Sequence, residues 1–275
     1  MSNIEFDLNL KQSSFRKISI ATWRHPVDPT AHVQINLDAA KIASYLEQFK
    51  GEDVHVVHFF SKVLAHCLKT YPHLNNVLIR NKNRSRQHIN LFYQTFVKSQ
   101  SGMDLTGFMI GDVDQLSLPE VARLHRAGVT NLKSQQDTEI RVVQKLVRKI
   151  PGALLRPAIR FADFLFYTLN LDLSRWGLPR DRFGSAMISY IGAFGYDESY
   201  APLFPFSRCG CSITMGRIKD CPVAEHGQVV VKPMLRISMS LDHRYNDGAD
   251  LALAFRLMRR MFKAPESFND IFVGN

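Results

Sequence analysis

The stretch Ser238-Met-Ser-Leu-Asp-His-Arg-Tyr-Asn-Asp-Gly248 sets one histidine, one arginine and two aspartates between an alternating run and a helical one. Upstream, Leu235-Arg-Ile-Ser-Met-Ser-Leu241 alternates apolar with polar residues, the pattern of a half-buried strand. Downstream, Leu251, Phe255, Leu257, Met258 and Met261 recur at helical spacing until Pro265. His243 and Asp247 are four residues apart and Gly248 follows. A histidine at a strand end, with a carboxylate near it and a glycine that lets the chain turn, suits general-base chemistry. A plainer reading is a polar turn in which Asp247 caps the helix and His243 is incidental. The residues of the turn leave both readings open.

Working outward, His32 to Asp38 alternates and reads as a strand, and Asp38 is placed to cap a helix over 39–50 stopped by Gly51. Val54 to Tyr71 is strongly apolar at helical spacing and is expected to be the most buried helix, ended by Pro72 and Asn75. Asn81-Lys-Asn-Arg-Ser-Arg86 is a basic turn between short strands, with a solvated loop as its expected state. Strands are expected at 89–98, 107–111, 186–191 and 209–216, and Ser117-Leu-Pro-Glu120 starts a helix running to about Ala127. His226-Gly227 reads as a hairpin turn. Hairpins mixed with strands separated by helices imply an α/β sandwich with a mixed sheet, one domain over 1–275.

The chain has 275 residues, 45% hydrophobic and 22% charged, with a net charge of +10. That charge favours an anionic partner: a phosphorylated cofactor, an acidic carrier, a membrane surface or nucleic acid. The basic stretches come without a helix-turn-helix, zinc-finger or aromatic RNA-binding motif, so nucleic acid is not expected. The amino terminus lacks the apolar core of a secretory signal, no window is long and apolar enough to span a membrane, and four cysteines do not make a disulfide framework. A cytoplasmic location is the expectation. Cys209-Gly-Cys211 lacks zinc-knuckle spacing, so no metal is expected.

Ser238 to Glu266, SMSLDHRYNDGADLALAFRLMRRMFKAPE, resembles the carboxy-terminal signature of the dihydrolipoyl acyltransferases, the catalytic cores of 2-oxoacid dehydrogenase complexes. The resemblance extends to SSFRKISIA, to HVQINLDAAKIASYLEQF, to VHFFSKVLAHCLKTYPHLNN and to Ala186-Met-Ile-Ser-Tyr-Ile-Gly192, in the family's order. It implies a chloramphenicol acetyltransferase-like fold and acyl transfer from a thioester, with coenzyme A or acyl-CoA as substrate. His243 matches the family's general base and Ser189, 54 residues earlier, its oxyanion donor. Asp247 matches a structural aspartate paired with an arginine of the first core segment, here Arg16, with Arg24 as the fallback. Arg244 is expected to face solvent or a neighbouring subunit. The family's homotrimers share each active site between two subunits. The apolar tail around Phe272 resembles the hook that joins trimers into larger assemblies.

Two departures stand out. The chain starts almost at the catalytic core, so a stand-alone form is expected that takes its acyl group from coenzyme A, from a carrier, or from a lipoyl group in trans. A helical insertion at about 130–178, just before the Ser189 strand, is atypical for the family. Within it Pro151 to Trp176 is rich in Leu and Phe with interspersed Arg, suited to covering an apolar site, packing on a subunit or on the chain's own core, or lying on a membrane surface. Rival readings outside catalysis are a scaffold or a membrane-surface protein that retains the fold.

Overall fold

The computed structural model describes residues 28–80, 82–99, 102–134, 151–176 and 180–274. The strands are Thr30–Asp38 (β1), Asn76–Ile79 (β2), Lys82–Ser85 (β3), Leu91–Ser99 (β4), Gly102–Ile110 (β5), Ala186–Tyr190 (β6), Cys211–Glu225 (β7) and Gln228–Asp242 (β8). The α-helices are Ile42–Leu46 (α1), Val56–Thr70 (α2), Leu118–Lys133 (α3), Gly152–Asp163 (α4), Gly248–Lys263 (α5) and Asn269–Val273 (α6).

Six strands form one sheet in the order β1-β8-β7-β6-β4-β5, and β2 pairs with β3 in a separate hairpin. β6 runs parallel to both β4 and β7, while the other neighbours are antiparallel. The sheet is therefore mixed, as expected. The turn at His226-Gly227 has both residues at positive φ, 52° and 79°, which suits a two-residue hairpin. It joins β7 to β8 into arms of fifteen residues each, longer than the alternation alone predicts.

The two faces of the sheet are built differently. On the inner face Ile35, Leu37, Leu91, Tyr93, Ile188, Ile213, Leu235 and Ile237 meet the helices. α2 is the most buried helix, as its pattern predicts, with eleven buried residues, among them Phe59, Phe60 and Val63. His55 and His58 form its capping box, His55 N donating to His58 Nδ1 at 3.0 Å. Phe272 stacks on Phe59 at 4.6 Å and is fully buried. The tail residue expected as a hook between trimers is thus held in its own core, where Phe59 stacks on it and Tyr45 meets it edge-on.

Other elements differ from the sequence reading. The helix expected over 39–50 is one short helix, α1, followed by a 3-10 turn at Glu47–Phe49; Asp38 Oδ1 accepts from Ala40 N at 3.0 Å rather than capping α1 itself. β5 begins at Gly102, five residues before the expected run, because its hairpin with β4 continues through the pairs Thr95↔Thr106 to Ser99↔Gly102. The carboxy-terminal half of β8 is buried on both faces, not one. The basic helix pattern over 139–149 lies outside the described residues, as do Arg16 and Arg24.

Candidate active site

Residues on the outer face of the sheet form a polar row. The register sets Gln34 beside Ser238, Ser238 beside Thr214, Thr214 beside Ser189 and Ser189 beside Gln94. Ser212 and Ser240 form a second row with His32, whose Nδ1 lies 3.1 Å from Ser240 Oγ. Part of this face is covered by the connection from β6 to β7. Gln34 donates to Glu198 at 2.7 Å, Tyr200 packs edge-on against the His32 ring, and Thr214 Oγ1 donates to the Ser199 carbonyl. The hydroxyls of Ser212 and Ser238 are buried without a partner among the described residues. Unpaired buried hydroxyls are uncommon, and here they gather on one face.

Ser189 sits in this row, nearly buried, and its side chain alternates to the same face as Met187. His243 follows β8 at the far end of the sheet. Its backbone N–H donates to Pro29 O at 2.9 Å, which prolongs the β1–β8 ladder, and its ring is exposed. Ser238 is level with Ser189, and His243 is five residues further along. That is roughly 16 Å along the strand and roughly 10 Å across two strand spacings, near 19 Å in all. One chain therefore cannot bring both side chains to the same reacting carbonyl.

The turn itself is tightly held. Asp242 is buried and binds Arg244 through two parallel contacts, Nε to Oδ1 at 2.9 Å and Nη2 to Oδ2 at 2.6 Å. Arg244 is exposed, as expected of a residue facing solvent, and it also reaches the strand-end carboxylate of Asp242. Tyr245 is buried and its hydroxyl donates to Arg208 O at 3.3 Å. Asn83 Nδ2 donates to Arg244 O at 3.1 Å, so the basic hairpin leans on the turn that carries His243. Asp247 is the N-cap of α5: its Oδ1 accepts from Ala249 N at 2.8 Å and Asp250 N at 3.1 Å. Those two backbone donors hold its carboxyl below the usual range, with a contribution from His243. It is exposed, and the Arg16 half of the expected pair lies outside the described residues.

Sequence reasoning missed a second set of residues. Arg86, read as part of a solvated basic loop, is buried and grips Asp181, Nε to Oδ2 at 2.7 Å and Nη2 to Oδ1 at 3.1 Å. Burial works against its charge and the Asp181 carboxylate more than restores it. Arg208 grips Asp163 of α4, Nε to Oδ1 at 3.0 Å, and lies over the Tyr167 ring at 5.4 Å. The Arg208 pair fastens the 151–176 segment to the loop before β7, and the Arg208 carbonyl also accepts from Tyr245 of the turn that carries His243. A charge in sequence does not announce its partner, and only Asp163 was within the segment singled out.

Between β4, β5 and the 151–176 segment lies a cleft of about 1500 Å³. Gln94 and Met187, the neighbours of Ser189, line one part of it. Among the described residues no group of three or more His, Cys, Asp or Glu side chains is placed to hold a metal ion.

Residues 182–269 match the family described as 2-oxoacid dehydrogenases acyltransferase (catalytic domain). This stretch carries that family's signature. It includes both Ser189 and His243. A dihydrolipoyllysine-residue acetyltransferase component of the pyruvate dehydrogenase complex from Staphylococcus aureus is 38% identical over 79 residues, and one from Staphylococcus epidermidis matches equally. The match spans 29% of this chain and 18% of those relatives. A probable dihydrolipoamide acetyltransferase from Listeria monocytogenes superposes with a TM-score of 0.59 at 18% identity, covering 94% of both chains. A truncated catalytic core of the 2-oxoacid dehydrogenase multienzyme complex from Thermoplasma acidophilum gives 0.60 at 17% identity, over 93% of this chain and 98% of that one. The cubic core of the pyruvate dehydrogenase multienzyme complex gives 0.63 at 15% identity, covering 88% and 85%. The fold is that of the dihydrolipoamide acetyltransferase cores, an α/β sandwich with a mixed sheet as expected.

Proposed function

We propose that the chain is an acyltransferase that moves an acyl group from a coenzyme A or carrier-bound thioester to a thiol, hydroxyl or amine, with His243 of one copy and Ser189 of another meeting at each site. The observation that carries this reading is the sheet register, which separates the two residues within one chain while the family match spans both. The His243 imidazole takes the proton of the acceptor thiol. The thiolate sulfur attacks the thioester carbonyl carbon, and the Ser189 hydroxyl donates to the oxyanion that forms. Collapse breaks the original carbon–sulfur bond, and the leaving thiolate recovers the proton from the imidazolium. A histidine base is worth on the order of 10²–10⁴ in rate and one oxyanion donor about 10²–10³.

Support comes from the relatives. A serine, a histidine and an asparagine have been investigated for their role in the catalytic mechanism of the Azotobacter vinelandii dihydrolipoamide acetyltransferase. A cubic core contains threefold axes, which fits a homotrimer here. A lipoyl group presented in trans is the same chemistry with a different thiol. Four unpaired cysteines support a cytoplasmic location.

The test measures free thiol released from a panel of acyl-CoA thioesters, with and without lipoamide, for wild type, His243→Ala and Ser189→Ala. Each variant is expected to lose activity by the factors above, and co-expression of the two to restore a measurable fraction, since a mixed trimer contains one interface with both native residues. Silence of the wild type across the panel would sink the reading; folded, trimeric variants that never complement would sink the shared site. A second reading, attachment to a membrane surface, is favoured by the exposed Leu154, Phe161 and Phe164 with Arg156 and Arg160 between them. Absence of co-flotation with anionic vesicles would remove it.

A further inference from the structure

The helix α4 is apolar yet has no buried residue. Leu155, Ala158, Ile159, Ala162 and Phe166 share one face at helical spacing and look into the cleft, while Phe161 on the other side is exposed. Opposite them, Phe92, Leu105 and Met109 of β4 and β5 line the same space. Two apolar layers thus face each other across about 1500 Å³, above the roughly 300–1,000 Å³ of ordinary small-molecule sites. The layers are not collapsed. The upper layer is attached beside the cleft by the Arg208–Asp163 pair and by Arg80, whose Nε donates to Thr168 O at 3.0 Å. Rigid apolar walls with a gap between them forgo the contacts that close packing supplies, and water makes a poor filler for such a surface.

The chemistry of the edges narrows the occupant. At one part of the cleft, Gln94 and Met187 adjoin Ser189. Elsewhere Arg180 and Arg182 line it with Asp172 and Asp181, and a smaller hollow formed by Arg80, Lys82 and Arg84 shares Ile79 and Asn170 with it. The cleft therefore joins an apolar interior to a charged margin that leads to a cationic hollow, and at another part to the neighbours of Ser189. We infer that it holds the acyl group itself, a long unbranched aliphatic chain whose thioester end lies at Ser189, and that 151–176 sets this chain-length specificity. The inference rests on the acyltransferase reading for the position of the thioester, but not for the binding of the chain.

Two measurements separate the inferences. Hexadecanoate, below its micellar concentration, is titrated into the full-length protein by calorimetry. Thiol release is then compared from acetyl-CoA to hexadecanoyl-CoA. Binding of hexadecanoate is expected, with apparent kcat/KM rising by roughly fourfold per methylene, the equivalent of about 0.8 kcal/mol, until the cleft is full. Ala158→Trp and Ala162→Trp each put an indole into the cleft beside α4 and are expected to weaken the binding and shorten the chain-length gain; Phe161→Ser, on the outer side of α4, keeps both. Thiol release from acetyl-CoA with no gain for longer chains and no hexadecanoate binding overturns this inference and leaves the acyltransferase reading standing. Hexadecanoate binding weakened in both tryptophan variants, without thiol release from any thioester, supports the cleft and overturns the enzyme. Circular dichroism of each variant checks the fold, and the wild-type titration needs no variant.

Discussion

The inner and outer faces of the sheet answer to different demands. The inner face is aliphatic and aromatic, covered by α2, α3, α5 and α6, and closed by Phe272 on Phe59. The outer face carries Ser189, Ser212, Thr214, Ser238 and Ser240, two of them without partners among the described residues, and an apolar helix that stands off it. Stability is concentrated on one side. The other keeps polar groups and empty volume that a single copy does not use, which is where a second copy and a substrate fit.

The sharpest way to break this contrast is to truncate one residue on each side. Phe59→Ala opens a cavity in the inner core and is expected to cost about 3–5 kcal/mol in urea unfolding. Ile159→Ala on the outer helix is expected to stay within about 0.5 kcal/mol. Equal costs would mean the outer layer is part of the core.

The next effect is a pH dependence confined to the inner side. Burial lowers His58 to about 3 and His125 to about 4, with His125 and His55 adding to the first and His55 to the second. In the unfolded chain both return to about 6.5. Between those values the unfolded state binds protons that the folded state does not, so stability falls as pH drops from about 6.5 toward 4, by a few kcal/mol. Unfolding at pH 7 and pH 4.5 measures it. His58→Asn, whose amide oxygen can still accept from His55 N, should flatten the fall; an unchanged slope would assign the acid sensitivity elsewhere.

The smallest effect belongs to the outer turn. Asp247→Ala removes an exposed helix cap and is expected to cost about 1 kcal/mol. A loss several times larger would point instead to a buried pair with the amino-terminal segment, as the family resemblance implies.

Much of the architecture is legible because periodicity survives in the sequence wherever one face is buried and the other wet. That holds for β1, α2, α3 and α5, and for the two-residue turn at His226-Gly227. The first half of β5 is not legible, since it is set by pairing with β4, and neither is the true length of β7 and β8, whose outer arms are exposed. Within the candidate site, His243 and Ser189 can be named from motif and order. The Asp242–Arg244 and Arg86–Asp181 pairs cannot, because either partner taken alone resembles a surface charge.

The sequence by itself determined the local currency of the molecule: strand and helix periods, the histidine turn, the cap at Asp247 and the likeness to acyltransferase cores. Only the tertiary structure decided that Ser189 and His243 of one chain lie too far apart to meet, that Phe272 closes its own core, and that 151–176 roofs a cleft. The reason is physical. Periodicity is a property of neighbours along the chain, whereas strand order, ion-pair partners and empty volume depend on which distant segments share a space.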